Sequence, residues 1–306
     1  MTENRQPRTV ADLVPLARAA LGPHRRPVAV TRLRGGSKKG VYRLRLDDGG
    51  TAIAYVWSPD EDYWALPDAD PRDPFSHASG LGLFTAAHDR LTATGVRTPR
   101  LLHVAPEAAA AVVEDMTGGS LEDALRRDPE AAGPALRELA ESLRALHGCR
   151  SAAHGKVAVI DNGGVAYGDA CAGVVAGRAL SDIAETAVRD PRIAAARERL
   201  EDAVRSLADA VRPRTEHSLV HGELGPDHVL LDADGRPVLI DIETPAAVPV
   251  RDASEPRRRA VAAGRRGFSR CRTHASDRGV QPGAGAGAGD ALTARHRFHG
   301  ATASAS

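Results

Sequence analysis

The spacing of apolar residues changes character along this chain, from strand-like alternation in the first third to helical stripes after it. Val10–Leu21 places its apolar residues at helical spacing and predicts a short amphipathic helix. Pro27–Leu33 is β-like, and in Val41–Leu46 the residues Tyr42, Leu44 and Leu46 share one face. Asp47-Asp48-Gly49-Gly50 is a hairpin signal leading into a third strand, Thr51–Trp57, so these strands form an antiparallel meander. Ser58–Ser79, rich in Asp and Pro, reads as a loop. Leu81–Thr94 then predicts a helix, and Arg100–Val104 and Ala109–Val113 two further strands.

Ser120 followed by Asp123 has the form of a capping box that starts a helix at Leu121. Pro134–His147 carries Leu136, Leu139, Leu143 and Leu146 on one stripe. Arg197–Arg212 carries Leu200, Val204, Leu207 and Val211, and both stripes are expected to be core. The stretch between these helices shows no clear period. Strands early and helices late predict an α+β fold of two lobes, residues 1–116 and 117–244.

The stretch with the most chemistry is His221–Glu243. A polar loop, Glu223–Asp227, precedes His228. Val229–Leu231 and Pro237–Ile240 flank the turn Asp232–Gly235 and predict a hairpin, with Asp241 and Glu243 at its exit. The fold-back is expected to bring Glu223 and His228 close to Asp241 and Glu243. Like charges that close repel, a penalty that a divalent cation removes, and oxygen-rich ligands suit Mg²⁺ bridging carboxylates and phosphates.

These residues resemble the catalytic loop and metal motif of the aminoglycoside phosphotransferase and choline kinase-like families, His-Gly-Asp-x-x-x-x-Asn followed by a hairpin and Ile-Asp-x-Asp/Glu. His221, Gly222, Asp241 and Glu243 match it. Leu143–His147 is similar to the family's Leu-x-x-Leu-His helix end, Val112–Met116 to its interlobe hinge, and Gly35–Tyr42 to its nucleotide loop and following strand.

The resemblance implies a protein kinase-like fold with a small antiparallel β lobe and a mainly helical lobe. It also implies an ATP-dependent phosphotransferase that moves the γ-phosphoryl group to a hydroxyl of a small molecule. His221 and Glu223 then belong to the catalytic loop, with Glu223 at the position of the catalytic Asp. His228 stands at the metal-ligating Asn, beside Asp227, and Asp241 and Glu243 complete the metal site. Gly35, Gly36, Ser37, Lys38, Lys39, Glu114 and Met116 contact the nucleotide. The cofactors implied are ATP and Mg²⁺, with Mn²⁺ as an alternative because His228 offers an imidazole nitrogen in place of an oxygen.

Kinases anchor phosphates with a lysine on the third strand, paired with a helix glutamate. Thr51–Trp57 contains no Lys or Arg, and Leu81–Thr94 no Glu, so the task passes to Lys38 and Lys39 on the glycine-rich turn. A catalytically inactive, nucleotide-binding pseudokinase is the alternative reading.

Composition changes the picture only at the C-terminus. After Thr244 the chain carries eleven Arg and four acidic residues, a net of +7, leaving −6 on the first 244 residues. With Pro256–Arg259, Arg265-Arg266 and the Gly-Ala repeat Gly283–Gly289, residues 245–306 are expected to be disordered. They resemble GC-rich DNA translated out of frame. Specific nucleic-acid binding is not expected, because the tail has almost no aromatics to stack on bases. Cys149, Cys171 and Cys271 are too few and too widely spaced for a disulfide framework. No stretch approaches about 18 apolar residues, so neither a membrane span nor a secretory leader is expected, and the cytoplasm is the expected location.

Overall fold

A computed structural model describes residues 7–34, 38–63, 69–168, 170–211 and 216–248. Gly35, Gly36, Ser37 and residues 249–306 lie outside the described residues, and with them the expectations for the nucleotide turn's tip and for most of the tail.

The N-terminal part opens with α1 (Val10–Leu21), whose first turn is closed by a reciprocal Thr9–Asp12 capping box. Then come β1 (Pro27–Arg32), β2 (Gly40–Leu46), β3 (Thr51–Val56), α2 (Leu81–Ala93), β4 (Leu101–Ala105) and β5 (Ala110–Glu114). The five strands form one antiparallel sheet in the order β1-β2-β3-β5-β4. The alternation in β2 behaves as its sequence predicts: Tyr42, Leu44 and Leu46 are buried on one face, together with Leu13, Leu16 and Ala17 of α1. The other face buries Ile53, Tyr55, Trp57 and Val113 against Phe84, Ala87 and Leu91 of α2. β3 lies at the centre, so its residues are buried on both faces.

The C-terminal part comprises α3 (Leu121–Arg127), α4 (Gly133–Gly148), β6 (Arg150–Ser151), β7 (Gly155–Lys156), α5 (Val157–Asp161), α6 (Cys171–Arg189) and α7 (Pro191–Ala210). It ends with β8 (His217–Val220), β9 (Val229–Leu231), β10 (Pro237–Leu239) and β11 (Ala246–Val248). As the Ser120/Asp123 spacing predicts, the Ser120 side chain accepts from the Asp123 amide at the start of α3. β9 and β10 form the expected hairpin, and β6-β8-β11-β7 form a second small sheet. The chain therefore has the two-lobed protein kinase-like fold. The α2 side of the N-terminal sheet continues without a break into Leu121, Leu139, Leu146, Leu219, Val229, Leu239 and Ile242 of the helical lobe.

Three details differ from the sequence reading. α6 fills most of the unassigned stretch, and α7 starts at Pro191, with the Asp190 side chain capping it. The α7 stripe is not core: no residue of α7 is buried, and Leu207 and Val211 are exposed. Periodicity gives a helix its apolar face but not the partner that covers it. Finally, Ala246–Val248, which the sequence analysis assigns to the tail, forms β11 and pairs with both β8 and β7.

The β9–β10 hairpin is tied to the segment between the lobes. Gly118 donates its amide to the Leu231 carbonyl at 3.0 Å, and the Leu231 amide donates to Gly119 at 2.8 Å. A side chain on Gly118 would meet the Asp232 and Leu231 carbonyl oxygens at 2.4 and 2.6 Å, so only glycine permits this approach. Arg97 adds an ion pair to Asp232 at 2.6 Å, and its carbonyl accepts from the Leu239 amide. The hairpin's exit is thereby set against the N-terminal lobe.

Candidate active site

Asp241 follows β10 in a left-handed conformation, with φ at +59°. Few non-glycine residues adopt this backbone; Asp and Asn tolerate it best, and such residues concentrate at functional sites. The turn aims the partly exposed Asp241 carboxylate across the lobes. There the ammonium of Lys39 bonds Asp241 Oδ1 at 2.7 Å and lies 2.5 Å from Glu243 Oε1. Lys39 is buried just before β2, and its Nζ lies 5.5 Å from the centre of the Tyr55 ring on β3.

This cluster sets its own protonation. Burial alone would lower the Lys39 pKa, but Glu243 and Asp241 outweigh it and hold the ammonium above its ordinary value. Burial pushes Asp241 up, yet Lys39 and His228 bring it below the usual carboxylate range. Glu243, fully enclosed, stays raised by burial despite Lys39, and the nearby Asp241 charge adds to the rise. The sequence reading brings Glu223 into this carboxylate cluster. In the structure Lys39, 202 positions from Asp241, occupies that place.

His228 links the remaining parts. Its Nδ1–H donates to the Glu223 carbonyl at 2.5 Å, which turns Nε2 towards Asp227 Oδ2 and Asp241 Oδ2, each at 3.7 Å. A ring held this way by a backbone carbonyl is oriented as a metal-binding histidine is. Among the described residues no three His, Cys, Asp or Glu side chains converge into a metal cage. Two protein ligands suffice for Mg²⁺, which keeps waters and takes phosphate oxygens for the rest, so Asp241 and His228 fit a shared site. Glu243, also predicted as a metal ligand, is engaged by Lys39 instead.

The Glu223 carboxylate makes no hydrogen bond or ion pair among the described residues. It lines a cavity between the second sheet and helices α6 and α7. The two lysines have different partners: Lys38 pairs with Asp62 at 3.4 Å, whereas Lys39 pairs with Asp241 and Glu243. Glu114 is exposed at the end of β5 and Met116 is buried beside it, both on the interlobe segment.

His221, at the end of β8, is buried and donates Nε2–H to the Ile240 carbonyl at 2.9 Å, next to Asp241. Its ring lies nearly parallel to that of His228, with 6.3 Å between centroids. Burial holds its pKa below the ordinary 6.5. The unfolded chain therefore takes up this proton first. The stability the neutral ring contributes is complete above about pH 6.5 and is lost as pH falls through the folded value. The urea midpoint is expected to drop between pH 7 and 5, with a shallower slope in His221→Gln; equal slopes would show that His221 is not the group responsible. His217, whose pKa burial also lowers, contributes to the slope that remains.

Gly222 has φ at +90°, and a Cβ there would meet the Thr244 carbonyl oxygen at 2.6 Å. Gly222→Ala is expected to cost about 2–4 kcal/mol, from left-handed strain plus a backbone clash. Denaturant unfolding would show it, and an unchanged midpoint would contradict the tight approach of the two strand ends.

Residues 29–244 match the Phosphotransferase enzyme family (APH). The chain belongs to that family. Phosphotransferases of this family are generally ATP-dependent small-molecule kinases. Solved structures with a similar fold include a thermostable mutant of an aminoglycoside phosphotransferase, at 15% identity over 73% of this chain and 70% of that one, with a TM-score of 0.48. Another is the macrolide 2'-phosphotransferase of Brachybacterium faecium, at 20% identity over 78% and 73%, TM-score 0.46. A third is a choline/ethanolamine kinase family protein of Mesorhizobium loti, at 18% identity over 77% and 63%, TM-score 0.41. No curated protein matches the chain. Among the described residues, no helix of this phosphotransferase is long and apolar enough to cross a membrane.

Proposed function

We propose that this phosphotransferase moves the γ-phosphoryl group of ATP to a hydroxyl of a small molecule. The observation that carries the proposal is the Lys39–Asp241–Glu243 cluster, which joins the glycine-rich turn of one lobe to the hairpin exit of the other. Lys39 binds the nucleotide's phosphates, with Glu243 holding its ammonium in place. His221 is a positioning residue that fixes the backbone at Ile240 and so the direction of Asp241. Glu223 orients the acceptor hydroxyl and takes its proton as the oxygen bonds to phosphorus, and ADP departs with the electrons of the broken bond. Mg²⁺, held by Asp241 and His228 with phosphate oxygens, would supply neutralisation of the phosphate charge; Mn²⁺ fits the imidazole better.

ADP release against a panel of alcohols tests the transfer, and a thermal shift with Mg-ATP or Mn-ATP tests nucleotide binding separately. A shift with no turnover on any acceptor points instead to a non-catalytic, nucleotide-binding protein. His228 in place of an oxygen ligand is the feature that favours that second reading. No shift with either metal nucleotide removes both.

A further inference from the structure

The cavity beside Glu223 has a volume of about 870 Å³, within the range of small-molecule sites. Its floor is one face of the second sheet. Lys156, Ala246 and Val220 stand directly opposite one another on β7, β11 and β8, so their side chains share that face. Thr244 and Gly222, just outside the ends of β11 and β8, line the cavity beside it. The walls are apolar. α6 contributes Cys171, Val175 and Ala179 at helical spacing, and α7 contributes Val204 and Leu207, with Val211 just past its end. Val175 is 52% exposed, Leu207 68% and Val211 54%, so the walls present uncovered apolar surface. Leu207 and Val211 belong to the stripe that the sequence assigns to core.

Within this apolar space lies one cation. Lys156 is only 2% exposed, yet it makes no hydrogen bond or ion pair among the described residues. Burial lowers its pKa, opposed only by the fields of Asp73 and Glu223. Asp73 is itself paired with Arg178 at 2.5 Å. Glu223 is the only acidic side chain among the described residues lining the cavity. The side chain is buried up to the cavity it lines, and a largely buried charge without a partner is costly.

We propose that the acceptor is a bulky, mostly apolar alcohol carrying a carboxylate, with Lys156 binding that carboxylate while Glu223 faces the hydroxyl. The apolar body replaces water against α6 and α7. The ammonium of Lys156 and the single carboxylate in the lining work against acceptors bearing several amines. The proposal rests on the phosphotransferase reading above, which gives Glu223 its role.

The test uses three compounds on one branched carbon skeleton: a hydroxy acid, its primary amide and the corresponding amino alcohol. Calorimetric titration of the full chain without nucleotide measures binding, and ADP release with Mg-ATP measures transfer. The hydroxy acid is expected to bind at least tenfold more tightly than the amide, and the amino alcohol most weakly. Lys156→Met should erase the preference for the acid over the amide, and Lys156→Arg should keep most of it.

Equal binding of the three, a preference for the amine, or an unchanged hydroxy-acid affinity in Lys156→Met overturns the proposal. If the variants do not fold, the ranking on the wild-type chain decides alone. Absence of binding by all three, as when residues 249–306 or a second copy fill the cavity, also overturns it. Hydroxy-acid binding without a Mg-ATP shift or turnover would sink the phosphotransferase reading and leave the ligand site standing. Turnover confined to the amino alcohol would do the reverse.

Discussion

Lys39→Met is expected to cost about 3–5 kcal/mol of stability and to lower turnover by roughly a hundred- to a thousandfold. The two losses have different origins. The stability loss arises because Glu243 is left enclosed with no counter-charge, next to the like charge of Asp241. The turnover loss arises because the nucleotide phosphates lose their ammonium. A second substitution separates them. In Lys39→Met with Glu243→Leu the uncompensated carboxylate is gone, and most of the stability should return while turnover stays low. Urea unfolding and ADP release on the same preparations read both quantities. An unchanged midpoint in Lys39→Met would mean that the cluster does not form in solution, and recovery of turnover in the double variant would remove Lys39 from phosphate binding.

Asp241→Ala is expected to reduce turnover by about three powers of ten, the scale of several kcal/mol of charge stabilisation at a transferring phosphoryl group. Its effect on folding should be smaller than that of Lys39→Met and could be favourable, since Ala removes one of two crowded carboxylates. The left-handed backbone at this position is a separate cost that Ala bears less well than Asp. Asp241→Asn keeps the backbone preference and is the cleaner comparison. Loss of the Mg-ATP thermal shift in Asp241→Asn, with an unchanged melting temperature in buffer alone, is the expected pattern. Full turnover in either variant would remove the metal site.

Much of the fold could be read from the chain because its signals are local. The alternation of Tyr42, Leu44 and Leu46 predicts which face of β2 is buried, and the hairpin around Asp232–Gly235 places His228 near Asp241. The His221–Glu243 spacing carries the family by itself. What escaped depends on partners far away in sequence or on very short elements. Nothing local to Lys39 shows that it reaches Asp241 rather than solvent, or that Lys38 turns to Asp62. β11 has three residues and forms only because β8 and β7 already offer edges on either side. The apolar stripe on α7 reads as core because period alone cannot distinguish a face that meets a neighbour from one that borders a cavity. Lysine is scarce in this chain, which marks Lys156 for inspection, but its burial without a partner is not local information and only the fold reveals it.

The placement of Lys39 has a consequence for control. In protein kinases the anchoring lysine sits on the third strand and needs a helix glutamate, so swinging that helix outward switches the enzyme off. Here the third strand presents the Tyr55 ring beneath the ammonium, and α2 contains no glutamate. The counter-charge comes from the hairpin exit, which is tethered to the interlobe segment. Displacing α2 would therefore leave the Lys39–Asp241–Glu243 pairing intact, so a helix-out movement would not by itself disconnect the ammonium from its counter-charges.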